Sequence, residues 1–206
     1  MDITLLVFYA VLALGISFIC SILEAVVLSV PHTYIAVLQK DGKKSGNTWA
    51  QLKDDDAVKP LTSILTLNTI AHTMGAAGVG SQVQIVLGVE YLTVASVILT
   101  IAVLFFSEII PKTLGTAYWK QLAPITGIIL TYLVKILIVI IIPIQMLKSI
   151  LPKGNNKLVT RDDVVAIVDL GEEEGILEED EETGIHNLLK LRDINVSEIM
   201  TPRVVM

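Results

Sequence analysis

Residues 3–30 read ITLLVFYAVLALGISFICSILEAVVLSV, and Glu24 is the one charged side chain among them. A helix of about 20 apolar residues crosses the hydrocarbon core of a bilayer, so this run is long enough to span. A secretory leader is a poor alternative: Met1-Asp2-Ile3-Thr4 supplies no basic n-region, and no small-residue cleavage site comes after it. Working outward, Leu61–Val89, Tyr91–Ile110 and Leu122–Leu151 are apolar runs of the same kind. The chain is 53% hydrophobic and 17% charged, where soluble domains lie near 45–50% and about 25%. An all-α membrane protein is the expected class. Cys20, the lone cysteine, sits inside the first run, which excludes a disulfide framework or a cysteine metal cluster.

Charge orients the runs. Lys40, Lys43, Lys44, Lys53 and Lys59 fall between the first and second, the turnaround Gly88-Val89-Glu90-Tyr91 has no basic residue, and Lys112 and Lys120 lie beyond the third. Basic loops stay cytosolic. The expectation is therefore a multi-pass protein of the cell membrane, its N-terminus outside, its Lys-rich loop inside, with three transmembrane helices. The fourth run carries Pro124, Lys135 and Pro143, with Lys120 before it and Lys148, Lys153, Lys157 and Arg161 at its far side. A full span would carry the acidic C-terminal region to the outside, against that bias. A juxtamembrane belt of broken, interfacial helices is expected instead, with an ordinary fourth span as the alternative because Ile136–Ile142 is so apolar.

Pro152-Lys153-Gly154-Asn155-Asn156 reads as a linker, closing a membrane domain over 1–152. A small cytosolic acidic helical bundle is expected over 158–195, opened by Thr160 as a cap with acids in its first turn. Glu172, Glu173, Glu174, Glu178, Glu179, Asp180, Glu181 and Glu182 crowd its centre. Such a run is usually a solvated face or a tail. Here Val164, Val165, Ile167 and Val168, then Leu188, Leu189 and Leu191, supply flanking apolar stripes that argue for packed helices. Carboxylates facing one another repel, and divalent cations relieve that repulsion. The cluster is thus a candidate cation-sensing bundle, with simple solubilisation as the alternative.

Polar groups inside apolar runs are expensive and default to functional candidates. Ser17, Ser21 and Glu24 share one helix face by their spacing; Ser29 lies off it unless a π-bulge intervenes. Serines that merely bond back to their own helix are the plain alternative. Thr66, Asn68, Thr69, His72 and Thr73 form a second polar set, with Asn68 and His72 four residues apart. In Ser107-Glu108-Ile109-Ile110-Pro111-Lys112, Pro111 has no N–H for the Ser107 carbonyl. Glu108 and Lys112 are spaced to pair with each other. Pro31 frees the Val27 carbonyl in the same way. Gly75, Gly78 and Gly80 allow close helix approach. Hydroxyls, an amide, orphaned carbonyls and a carboxylate suit Mg²⁺, Na⁺ or Ca²⁺ rather than zinc or copper. The sequence carries no nucleophile–base arrangement, phosphate loop or zinc-protease helix, so no enzyme, nucleic-acid or small-molecule substrate role is expected.

Ser21-Ile22-Leu23-Glu24-Ala25, Leu67-Asn68 and Glu108-Ile109-Ile110-Pro111-Lys112-Thr113 resemble the CorC/cyclin M (CNNM) family of magnesium transporters, as do Gly171-Glu172-Glu173-Glu174-Gly175-Ile176-Leu177 and Val196-Ser197-Glu198-Ile199-Met200-Thr201-Pro202-Arg203. The resemblance runs along essentially the whole chain. It implies a homodimer, each subunit with three spans, a helical belt and an acidic bundle. Residues 196–206 resemble the lead-in to paired CBS domains, which in the family bind Mg-ATP, so the sequence looks cut before them. Mg²⁺ would be the transported ion and Na⁺ the driving ion of export. The implied ligands are Ser21, Asn68 and the backbone around Ser107, with Ser29 weaker. Glu24 and Glu108 would be nearby charges or coupling groups, and Pro111 and Lys112 would shape a kink. Ser107 stands where the family often has glycine, and His72 where relatives often have an amide. A membrane-anchored Mg²⁺ sensor that moves no ion would need the same site.

Overall fold

The computed structural model describes residues 2–150 and 160–191. The expected linker at 152–156 and the CBS-like lead-in at 196–206 lie outside the described residues. Every element among those described is helical, and they divide into two compact units, one on each side of the undescribed stretch.

In the first unit, α1 (Asp2–Ser29) and α4 (Val58–Val86) form the largest contact. Small residues make it close. A Cβ added to Gly75 would collide with Cβ of Ala13, and one added to Gly78 would stand 2.8 Å from the Tyr9 ring. Ser17 and His72 meet next along the seam. Steps of four along α1 (9, 13, 17) are matched by steps of three back along α4 (78, 75, 72), so the helices run antiparallel. The glycine stripe therefore finds its partner within the chain.

The third apolar run continues past Ile110, where it was expected to stop. It comprises α5 (Leu92–Ala102), a π-helical segment (Val103–Ile109) and α6 (Ile110–Ala117), unbroken. The reason is the wide turn ahead of Pro111. The Ile110 N–H donates to the Phe105 carbonyl five residues back, so the proline ring enters a register already loosened and the helix survives it. The π-segment falls here and not in α1, which stays α-helical to its end. α6 lies on α1, where a Cβ on Gly115 would stand 2.7 Å from that of Ala25. α5 buries no side chain. Val94, Val97, Ile98, Ile101, Leu104, Phe105 and Phe106 are all exposed, a surface that water would not tolerate and lipid would. Among the described residues two helices, Ile3–Ser29 and Val89–Ala117, are long and apolar enough to span.

The rest of this unit wraps the C-terminal end of α1. α2 (His32–Lys40) and α3 (Lys44–Leu52) are short, and α3 drives Trp49 fully into the core with Cys20, Leu23, Val26, Val27 and Leu130. The Trp49 indole donates to the Ala123 carbonyl at 3.0 Å in α7 (Trp119–Ile136), and Gly127 leaves the room it needs. The fourth apolar run is broken, but at Leu137 and at neither proline: Pro124 lies inside α7 and Pro143 inside α8 (Ile138–Ile150). Each piece is short of about 20 residues.

In the second unit, α9 (Arg161–Glu173) and α10 (Glu179–Lys190) form a hairpin. Its turn passes through Gly175 at φ +71°. Arg161 donates to the Leu189 carbonyl, joining the hairpin's open end. The Thr160 hydroxyl accepts from the Asp163 N–H, and the Asp163 carboxylate accepts from the Thr160 N–H at 2.7 Å, a complete capping box. The acids gather at the turn. Glu178–Glu182 sit favourably at the N-terminus of α10, whereas Glu172, Glu173 and Glu174 face the negative end of α9.

Gly75→Ala should destabilise the first unit by about 1–3 kcal/mol through overpacking, read as thermal unfolding in detergent. Adding Ala13→Gly should restore most of the loss; no rescue would contradict the seam. In the second unit, bonds from the Thr160 side chain and then its backbone hold the Asp163 carboxyl below its ordinary value. The cap's contribution is then full above the ordinary carboxyl range and fades as pH falls through the depressed value. Amide protection of the first turn of α9 should follow that acid titration, and Thr160→Val, which keeps only the backbone bond, should weaken it.

Candidate functional site

The seam between α1 and α4 carries polar groups at successive levels. Ser17, fully buried, shares a 2.6 Å hydrogen bond between its Oγ and Nε2 of His72. One turn further along both helices, the antiparallel pairing brings Ser21 of α1 to the level of residues 68–69 of α4. Neither Ser21 nor Asn68 is satisfied. Ser21 Oγ and Asn68 Oδ1 are the two buried side-chain oxygens without a hydrogen-bond partner among the described residues. Other hydroxyls in α4 and α5 do bond back to their own helix, as Ser63, Thr69, Ser96 and Thr100 show at 2.8 Å. Ser21 does not.

Ser107 approaches from the π-segment and is fully buried. Its hydroxyl donates to the Leu14 carbonyl at 3.1 Å, so the side chain is committed. What remains is backbone: Pro111 brings no N–H to the carbonyl of Ser107, or to that of Phe106 in the wider π register. Glu108 is half-buried on the same segment.

Lys112 does not pair with Glu108. Its Nζ lies 3.1 Å from Oε2 of Glu24, because the unbroken helix turns it towards α1. Glu24 is three residues beyond Ser21 on the same face, so the pair stands just past the orphaned oxygens. Lys112 is exposed and Glu24 half-buried, and a pair open to solvent contributes about 1 kcal/mol at most. Ser29 stays off the Ser17–Ser21–Glu24 face, since α1 has no π-bulge to return it.

The bond between Ser17 and His72 was not foreseen. Its signal was present: Ser17 and Ser21, like Asn68 and His72, are four residues apart, and two such pairs match when their helices run antiparallel. A double-mutant cycle with Ser17→Ala and His72→Leu should give a coupling on the order of 1 kcal/mol, as interhelical bonds in membranes do. Additive effects would contradict the bond.

The arrangement can hold a hard cation by neutral oxygens, with a carboxylate near. It offers no cluster of imidazole or thiolate ligands at this place, and no activated nucleophile among the described residues.

Residues 8–181 match the family described as the cyclin M transmembrane N-terminal domain. The UPF0053 protein sll1254 of Synechocystis sp. is 29% identical over all of this chain, which spans 58% of that protein. A chloroplastic DUF21 domain-containing protein of Arabidopsis thaliana is 28% identical over 79% of this chain and 26% of its own length. A second from that plant is 28% identical over the same share of this chain and 25% of its own length. The chain thus spans little more than half of the first relative and about a quarter of the others. The matched family is defined by a membrane domain and not by a catalytic one. With its apolar helices, its small-residue seam and a match over most of its length, the chain belongs to the cyclin M (CNNM) transmembrane domain family.

Proposed function

We propose that this chain is the membrane portion of a Mg²⁺ transporter of the cell membrane that exports Mg²⁺ in exchange for Na⁺. The observation that carries the reading is the orphaned pair, Ser21 Oγ and Asn68 Oδ1. A buried polar atom without a partner costs about 1–3 kcal/mol, and lipid offers nothing to relieve it. Two such atoms set at one level are better explained by a ligand than by accident.

Mg²⁺ takes six oxygens at about 2.0–2.1 Å and keeps several of its waters. Ser21, Asn68 and the backbone carbonyl of Ser107 would supply the protein's share. Glu108 would balance the charge. Ser29, off the shared face, is left out of this shell. The Glu24–Lys112 pair is the group best placed to open and close the path beyond it, which makes it the candidate for Na⁺ coupling. On this reading α4 is the third span: its 29 residues reach roughly 44 Å at 1.5 Å each. The N-terminus would lie outside, the acidic hairpin in the cytosol, and two chains would pair. Cytosolic Mg²⁺ would be felt at the α9 acids, where the helix dipole adds to their mutual repulsion.

Protein reconstituted in liposomes should move Mg²⁺ faster when a Na⁺ gradient opposes it. Asn68→Ala and Ser21→Ala should each cut that flux at least tenfold without changing the amount of folded protein. Flux that survives both substitutions contradicts the site. Mg²⁺ binding without flux in the parent would make the chain a sensor.

A further inference from the structure

Away from the seam, the acidic hairpin holds a different kind of cluster. His186 in α10 is largely covered, and its Nε2 lies 2.7 Å from Oδ1 of Asp169 in α9 and 3.0 Å from Oε1 of Glu182, one turn before it. One ring nitrogen is thus approached by two carboxylates from two helices, and the three ligand atoms lie within 4.8 Å of one another. We infer that Asp169, Glu182 and His186 form a binding site for a divalent first-row transition metal, Zn²⁺ or one of its neighbours, separate from the oxygen shell between α1 and α4.

The chemistry distinguishes this cluster from the other acids. Glu172, Glu173, Glu174, Glu178 and Glu179 are exposed and offer oxygen alone, which suits loosely held Mg²⁺ or Ca²⁺. An imidazole nitrogen with two carboxylates and open positions suits Zn²⁺, Co²⁺, Mn²⁺ or Fe²⁺. The geometry is close to what such an ion needs. Adjacent ligands on an octahedral ion with bonds of about 2.1 Å stand roughly 3.0 Å apart, the spacing already present between Nε2 and each carboxylate. A metal ion would bind Nε2 with the ring proton held on Nδ1, and its two charges would cancel those of Asp169 and Glu182.

The fold gives the ion something to do. Val168 is the one apolar side chain buried among the described residues of the hairpin, too little to hold two short helices together. Ligands from α9 and α10 on one ion would cross-link them in the middle of their contact. Metal occupancy would then set the stiffness of the hairpin. The inference does not rest on Mg²⁺ transport, because none of its ligands belongs to the seam.

The test is calorimetric titration of the metal-stripped whole chain in detergent with Zn²⁺, under millimolar Mg²⁺ to occupy the hard oxygen sites. One Zn²⁺ per chain should bind, and amide exchange in α9 and α10 should slow when it does. His186→Gln keeps a hydrogen-bonding group but loses the imidazole; it should weaken binding at least tenfold. Asp169→Asn should do likewise, while Asn68→Ala should leave Zn²⁺ binding as it was. Absence of Zn²⁺ binding under excess Mg²⁺, or binding that His186→Gln does not change, overturns the inference. Loss of binding in Asn68→Ala as well would place the ion at the seam and overturn it too.

Discussion

Hydrocarbon gives a polar atom nothing to bond to, and α1, one side of the α1–α4 seam, is long and apolar enough to meet that constraint. Gly75 and Gly78 let the two backbones approach until lipid and water are excluded. Every polar group caught between them must then find a partner in the other helix, in its own helix, or in something bound. Ser17 finds His72. Ser63 finds a carbonyl of α4. Ser21 and Asn68 find none, and they stand one turn from a bond that fixes their register. Close packing and an unmet pair of oxygens are therefore two results of the same approach.

The third apolar run serves the seam from the side. Its π-segment brings Ser107 into the core and carries the helix across Pro111 without a break, at the cost of carbonyls that Pro111 cannot serve. Gly115 then lets α6 rest on α1, and Lys112 reaches Glu24. Magnitudes rank these features. An exposed ion pair contributes at most about 1 kcal/mol, whereas each orphaned oxygen in an apolar surrounding costs about 1–3 kcal/mol. The orphaned oxygens are the feature that most needs a ligand.

Much of this was legible in the sequence, for physical reasons. Length and apolarity marked the runs and the glycines marked the seam, while the break in the fourth run came at Leu137 and not at Pro124 or Pro143. Ser21 and Asn68 stood out because polar groups inside apolar runs have few cheap explanations. What stayed hidden depends on tertiary geometry. Spacing alone paired Lys112 with Glu108, but the turn of the helix hands it to Glu24. The spacing of Ser29 asks for a π-bulge in α1, yet the wide turn lies ahead of Pro111, where the missing N–H makes it useful. Ser107's hydroxyl could not be known to be taken by Leu14. Trp49 gave no sign that it would anchor α3 to Ala123, since a tryptophan beside lysines reads equally well as an interfacial residue. The clustering of Asp169, Glu182 and His186 needed the hairpin register, which no local pattern reveals.

The central claim is that the two unmet oxygens face each other in order to receive an ion. It is tested most directly by an experimental structure in a lipid environment, with Mn²⁺ substituted for Mg²⁺ and located by its anomalous scattering. An anomalous peak is expected at bonding distance from both Ser21 Oγ and Asn68 Oδ1. A structure with no peak there, and with those two atoms bonded to each other or to neighbouring protein groups, would contradict the claim.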